Sequence, residues 1–531
     1  MWNLRKHPSR QSHPRAPVSR RDFVTASGVL GSAAALGLAQ APTETAGAPA
    51  SQEPAVSKPP SQEASPTSLQ SEVASAGPVG LAPGGIMPSL SVSAALEGPR
   101  SECGIGALVP WADRLWLVTY VAHKARSGSG TGLYELDADF VLRKRAESVV
   151  GTYANRFVHA PSIQMIIGPH IIDAQRNVRT FEGLVDHRLT GTMTHLTDPE
   201  NKVYFLGMES ELFEADVRTL EVRQLFTLNQ ELELPAGSRA HYKGAFTALG
   251  RVVVANNTYG EKDETEGVCT GGRLAEWDGT RWTILERTAF CDVNAAPDAH
   301  GAIFATGWDR ASVILKVFAK GRWSTYRLPK GSRCHDHAWY TEWPRIREVE
   351  TERFLMDMHG LFYELPRMAY GGRVWGIKPI AQHLRQIPDF CSWRGMLVMA
   401  GDQAAPTGGN LYVGEAQSSL WFGKTDDLWQ FGKPQGWGGP WHQTKVEPGV
   451  PSDPFLMTGF DHKCLHLCHD QQRTIRFLVE VDFLGNGSWQ PYESLTVAGY
   501  RHHEFPAGFS AHWVRLTAEE PCTATAHFVY T

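Results

Sequence analysis

The chain has 531 residues, with 51 lysines and arginines against 56 aspartates and glutamates, a formal net charge of −5. No basic patch interleaved with aromatic residues interrupts that balance, so nucleic-acid binding has no support. With 42% hydrophobic and 10% aromatic residues the chain can bury a large core, and its one N-terminal apolar stretch is too short for a membrane span of roughly 20 residues.

Ser19-Arg20-Arg21-Asp22-Phe23, followed by a weakly apolar stretch ending Ala39-Gln40-Ala41, reads as a twin-arginine export signal over residues 1–41 with a small-residue cleavage site. The expected location is periplasmic or secreted, with no stable membrane insertion. Residues 42–100 are rich in Pro, Ala, Ser and Glu and nearly free of aromatics. Such a segment cannot bury enough apolar surface to offset the entropy of ordering, so it is read as a disordered linker.

From Cys103 onward the composition changes, and the tryptophans and alternating apolar runs gather there. Runs such as 114–120 (RLWLVTY), 251–255 (RVVVA), 302–306 (AIFAT), 353–357 (RFLMD) and 476–481 (RFLVEV) are short, β-branched or aromatic, and bounded by turn residues. A hairpin phrase recurs at 133–137 (LYELD), 212–216 (LFEAD), Trp277-Asp278-Gly279, Ala319-Lys320-Gly321 and Asn486-Gly487. Self-similarity on this scale, without a helical period, predicts an all-β chain folded as a β-propeller over 101–531. Repeat units begin near Cys103, Asn155, Thr190, His241, Cys291, His335 and Phe390, with an eighth blade-like segment from Phe455, so the count is seven or eight. The last strands, 509–516 and 523–530, are expected either to close the ring or to form a small appended sheet, and Trp282, Trp323 and Trp489 are taken as hairpin aromatics packing on the next blade.

Polar residues recur where successive units begin: Arg156 and His159, His195, His241 with Tyr242 and Lys243, Asp292 and Asn294, His335 with Asp336 and His337, and Trp393 with Arg394. Any one of these histidines is explained as a polar residue capping a strand. Together they predict a ring at one mouth of the channel, suited to an anionic ligand and to proton transfer near neutral pH. Only Asp292 and Asp336 offer the opposed carboxylates of ordinary glycoside hydrolysis. β-Elimination on a uronic acid instead needs donors for the carboxylate, a base for the C5 proton and an acid for the departing oxygen, and the inventory fits that better.

The stretches 155–160 (NRFVHA), 166–179 (IIGPHIIDAQRNVR), 190–204 (TGTMTHLTDPENKVY), 241–244 (HYKG) and 250–259 (GRVVVANNTY) resemble the β-propeller enzymes that remove terminal L-rhamnose from α-1,4-linked D-glucuronate. The likeness covers essentially everything after the linker. It implies seven blades and a choice between two branches: lyases acting at one mouth, and rhamnosidases acting with a histidine on the opposite face. It implies His195 and His241 as the pair that moves protons, with Arg156, Lys243 and Arg394 then holding the carboxylate; the other ring members, His159, Tyr242, Asn294, His335, His337 and Trp393, are expected to bind the substrate. His123 is the candidate for the opposite-face histidine by its location in the first blade. The implied partner is a rhamnose-capped acidic polysaccharide such as arabinogalactan, acted on by a monomer. No cofactor is called for, and the resemblance leaves room for a structural calcium ion.

Eight cysteines are scattered, which permits disulfides in an oxidising compartment without requiring them. Cys464, His466 and Cys468 alternate along one strand, with His462 and His469 nearby. Strand spacing sets such ligands too far apart for one tetrahedral ion without help, so this run is read as a core strand carrying small thiols. Gly128-Ser129-Gly130-Thr131-Gly132 lacks the strand–helix setting of a phosphate loop and is read as a hairpin loop.

Overall fold

The computed structural model describes residues 91–93, 102–121, 132–258, 271–296, 301–332, 343–350, 353–369, 372–374, 376–404 and 417–531. His123, His335, Asp336 and His337 lie outside the described residues, as do the export signal and most of the linker.

Antiparallel four-stranded sheets follow one another along the chain: a first at 102–144, a second at 156–180, a third at 189–227, a fourth at 242–286, a fifth at 289–328, a sixth at 345–382 and a last at 390–423. Their opening strands lie side by side in chain order, Glu102–Trp111 against Arg156–His159, then Leu189–Thr194, Tyr242–Ala248, Ala289–Ala295, Arg345–Glu350 and Phe390–Trp393. Phe390–Trp393 in turn lies against Glu102–Trp111. This arrangement is a β-propeller, with the opening strands around its channel.

Inner strands have a neighbouring sheet on either face, which is why Ile303–Trp308 and Val313–Ala319 are mostly apolar and buried throughout, the one charge, Lys316, being paired with Glu286 at 2.6 Å. Each large apolar side chain there contributes about 1.5–3 kcal/mol on burial. The outer strand Arg322–Leu328 is only partly buried and carries the polar residues. Lys320 and Gly321 both have positive φ, 51° and 76°, the geometry of a two-residue turn that matches strand twist. The Asp278 carboxylate accepts the Thr280 and Arg281 amides, both at 2.8 Å, and these bonds with the Thr280 hydroxyl pull its pKa down to about 2.

Two features tie the last sheet to what precedes it. Its outer strand Gln417–Gly423 pairs with Ser91–Ser93, in register Ser91 to Ser419. Asp402–Ala404 pairs with Glu102–Gly104 of the first sheet. The linker expected to run to residue 100 therefore contains a strand, because a backbone can complete a sheet edge through main-chain hydrogen bonds whatever its side chains are.

The C-terminal strands do not close the ring. Cys522–Tyr530 pairs with Gly436–Val446 and Lys463–His469, and Trp513–Ala518 pairs with Ile475–Asp482 and Phe455–Leu456. The two resulting sheets share one core that includes Leu465, Phe477, Leu516 and Phe528, so 436–531 is a β-sandwich and the segment from Phe455 is no blade. The strict alternation of buried and partly exposed positions along Cys522–Tyr530 is the signature of a strand with one solvent face. The sandwich joins the fifth sheet through parallel pairing of Arg327 with Phe455, and the Arg327 guanidinium reaches Asp309 at 2.8 Å and Asp453 at 3.0 Å.

The hairpin tryptophans pack backwards. Trp282 lies edge-on to Phe226 of the third sheet at 5.7 Å, and Trp323 donates to Glu276 of the fourth at 2.9 Å. Trp489 belongs to the sandwich, under the Arg515 guanidinium at 4.3 Å.

Candidate functional site: a cationic channel

A cavity of about 200 Å³ lies among the opening strands, lined by Val109, Arg156, Thr192, Gly244, Asp292 and Arg347 among others. Four of those strands carry a bulge near their start, at Gly106, Thr190, Lys243 and Cys291. A bulge leaves one residue outside the pairing ladder and re-aims its side chain. The close approach this allows is visible at Gly244, where an added Cβ would fall 2.7 Å from the Cys291 carbonyl oxygen.

Five charged groups hold the centre. Asp389, fully buried, accepts the Leu108 amide at 2.8 Å, Arg156 Nε at 2.9 Å and Arg347 Nε at 2.8 Å. Asp292 accepts the Ile346 amide at 2.8 Å and Arg347 Nη1 at 2.9 Å, with Arg345 Nη1 4.0 Å away. Arg345 is almost wholly buried, donates to the Pro388 and Pro344 carbonyls, and leaves Nη2 without a hydrogen bond among the described residues. Burial pushes its pKa down, while the two carboxylates more than offset burial at Arg347 and raise its pKa. Three guanidiniums thus meet two carboxylates, and both carboxylates are already engaged. Arg156, with 21% of its side chain exposed, also donates to the Leu108 and Phe390 carbonyls.

At the starting ends of the opening strands, Lys243 is fully buried, with Nζ 4.3 Å from the Trp343 ring centre and 3.7 Å from Met208 Sδ. Tyr120 packs on Trp343 at 5.0 Å, and both belong to a small buried cluster with Ala154 and Met208. His241, half-buried two residues before Lys243, has its backbone fixed by Thr258 Oγ1 and the Asn257 amide, each at 3.0 Å. Tyr242 is buried with its hydroxyl 3.3 Å from Asn229 Oδ1, and burial raises its pKa.

The ring expected from the sequence divides by level. Arg156, Asp292 and Asn294 line the cavity, although Asn294 spends its amide on the Ile346 carbonyl and the Ala295 amide. His241, Tyr242 and Lys243 lie at the starting ends. His159, His195 and Arg394 lie at the opposite ends, where turns of neighbouring sheets meet: His159 Nε2 is 2.9 Å from the Pro199 carbonyl oxygen, and Arg394 is 3.0 Å from Asp113. His159 also contacts Ser162 Oγ at 2.7 Å, so both its nitrogens are occupied.

His195 is likewise closed. Nδ1 accepts the Asp198 amide at 2.9 Å, Nε2 lies 2.8 Å from Glu214 Oε2, and the ring packs on Tyr204 at 4.3 Å. Trp393 is a core residue between Phe140 and Phe422. The structure therefore does not bring His195 to His241, or Arg394 to Lys243. Arg345, Arg347 and Asp389 were not singled out in the sequence, where they are ordinary charges at strand starts. Nor do the described channel residues fit a calcium ion, which needs six to eight oxygen ligands, because Asp292 and Asp389 both face guanidiniums.

No protein-family model matches the chain, and no curated protein matches it. Among solved structures, the β-propeller domain of Myceliophteria thermophila Cps50 (Swd1) is similar, with a TM-score of 0.36 and 11% identity over 62% of this chain and 98% of that one. A chain of a nidogen/laminin complex is similar with a TM-score of 0.29 and 8% identity, over 52% of this chain and 92% of that one. At these scores neither likeness says anything about function. Among the described residues no helix is long and apolar enough to cross a membrane.

Proposed function

We propose that the chain is an exported, seven-bladed propeller lyase that removes L-rhamnose from α-1,4-linked D-glucuronate ends of an acidic polysaccharide. The observation that carries this reading is the excess of guanidinium over carboxylate among the described channel residues, where Arg156, Arg345 and Arg347 meet Asp292 and Asp389. A uronate carboxylate is the ligand such a site would hold, and neutralising it acidifies the C5 proton. Both carboxylates of the described channel residues, Asp292 and Asp389, are bound to arginine, which disfavours their use as the paired carboxylates of ordinary glycosidases.

In this reading His241 takes the C5 proton, and Arg156, which lines the cavity, and Lys243 hold the carboxylate. The C4–O bond breaks as the C4–C5 double bond forms, and rhamnose leaves with a proton. His195 becomes a positioning residue for the turn 195–201. The deciding experiment is incubation with a rhamnose-capped glucuronate oligosaccharide, following the ultraviolet absorbance of the unsaturated uronate. Rhamnose release with that absorbance supports the lyase. Release without it overturns the lyase in favour of hydrolysis, and no release overturns both.

A further inference from the structure

We propose that Cys464, His466 and His502 form a zinc site on the outer face of the C-terminal sandwich. In the strand Lys463–His469, Leu465 and Leu467 turn into the core and are fully buried, whereas Cys464, His466 and Cys468 alternate with them on the other face and are only partly buried. The thiols are therefore not core residues. Cys464 and Cys468 stand four residues apart, about 13 Å along a strand, so they cannot share an ion. The missing ligand comes from the neighbouring strand Tyr500–Glu504, where His502 pairs directly with His466 and Glu504 with Cys464.

The Cys464, His466 and His502 ligand atoms all lie within 4.8 Å of one another, and Cys464 Sγ is 3.8 Å from His466 Nε2. Around a tetrahedral zinc with bonds of 2.0–2.3 Å, ligand atoms are separated by about 3.3–3.8 Å, so small side-chain rotations close the set. His466 already has the outer support a ligating imidazole needs: Nδ1 lies 3.0 Å from Tyr500 Oη, which leaves Nε2 aimed at the thiol. Glu504, its carboxylate 4.0 Å from His502 Nε2, lies beside this three-donor set and not within it, so the fourth position of a tetrahedral ion falls to solvent at the exposed His502. On binding, the metal replaces the Cys464 thiol proton, which passes to solvent. The ion would staple two strands of the sandwich and is independent of the sugar reading.

The experiment uses the full chain, stripped with a chelator and titrated with Co²⁺ and then Zn²⁺. We expect one cobalt per chain with a thiolate-to-cobalt charge-transfer band, displaced by zinc. Cys464→Ser removes the band, the exposed His502→Ala weakens cobalt binding at least tenfold, and Cys468→Ser leaves both unchanged. No band in the natural chain, a band that survives Cys464→Ser or disappears in Cys468→Ser, or undiminished affinity in His502→Ala overturns the site.

Discussion

Arg347 binds Asp389 across the junction between the sixth and last sheets, with Nε 2.8 Å from Oδ1. The same guanidinium holds Asp292 of the fifth sheet at 2.9 Å, and Asp389 holds Arg156 of the second at 2.9 Å. Four sheets are thereby pinned at the channel by one connected network. A connected buried network is costly to break at a single member, because the partner left behind keeps its desolvation penalty without its counter-charge.

Asp389→Asn keeps the shape and removes the charge that Arg156 and Arg347 share. The expected loss of stability is about 3–5 kcal/mol, read as a lower denaturant midpoint at unchanged slope. An unmoved midpoint would show that the network does not hold the sheets together.

The mouth and turn-end positions separate in a paired experiment. His241→Ala should lower kcat on a rhamnosyl-glucuronate substrate by about 10²–10⁴, the usual range for a general base. His195→Ala should leave kcat within a few fold and lower stability by about 1–3 kcal/mol, since it strips Glu214 of a buried partner. The reverse pattern would return the proton to His195.

Lys243→Met tests the carboxylate-holding role. The change replaces a buried ammonium beside Trp343 with an apolar chain of similar length, and the denaturant midpoint is read alongside so that affinities are compared between folded molecules. Affinity for a glucuronate-ended oligosaccharide, measured by calorimetry, should fall at least about tenfold, or 1.4 kcal/mol. Unchanged affinity would remove Lys243 from the site.

The periodic parts of this fold were legible, and the convergent parts were not. Six opening strands begin within two residues of the expected unit starts; the described part of the sixth sheet opens at Arg345, and the start expected at His335 lies outside the described residues. That follows from local rules: Lys320-Gly321 needs positive φ at both positions, and Ile303–Trp308 is mostly apolar because a sheet lies on either side. Asp389 meeting Arg156 depends on a separation of 233 residues and on sheet order, which no local pattern encodes. His195 looked like a channel residue because it ends an opening strand, yet the hairpin after it folds the ring back onto Glu214 and Tyr204. The sandwich was within reach, since the strict alternation of Cys522–Tyr530 differs from the mostly apolar, non-alternating inner blade strands.

Trp393 and Arg394 give a contrast between neighbours. Trp393→Ala empties a site packed by Phe140 and Phe422 and should cost about 3–5 kcal/mol. Arg394→Ala loses an exposed pair with Asp113 and should stay within about 1 kcal/mol. Neither should alter affinity for the acidic sugar in molecules that remain folded. A selective loss of sugar binding in Arg394→Ala would place the carboxylate at the turn ends of the channel.

His170 supplies a pH dependence whose sign is fixed by its burial. It is fully buried in the second sheet, with Nδ1 3.0 Å from Thr180 Oγ1 and Nε2 unbonded among the described residues, and burial pushes its pKa down from 6.5 to about 4 despite the nearby Glu147. The folded imidazole therefore stays neutral through a range in which the unfolded chain, with a pKa near 6.5, takes up a proton. Stability from this group is fully present above pH 6.5, falls as the pH drops towards 4, and is level below that. Integrated over that window the loss is about 3 kcal/mol, at a slope no steeper than about 1.4 kcal/mol per pH unit. His512, also held at about 4 by burial, adds a loss of the same sign, so the test is a difference: unfolding free energies at pH 7 and pH 4.5 for the natural chain and for His170→Gln. The variant should be less stable at pH 7 and should show a smaller drop between the two pH values. Equal drops in the two proteins would mean that His170 is protonated in the folded state, and the burial argument for it would fail.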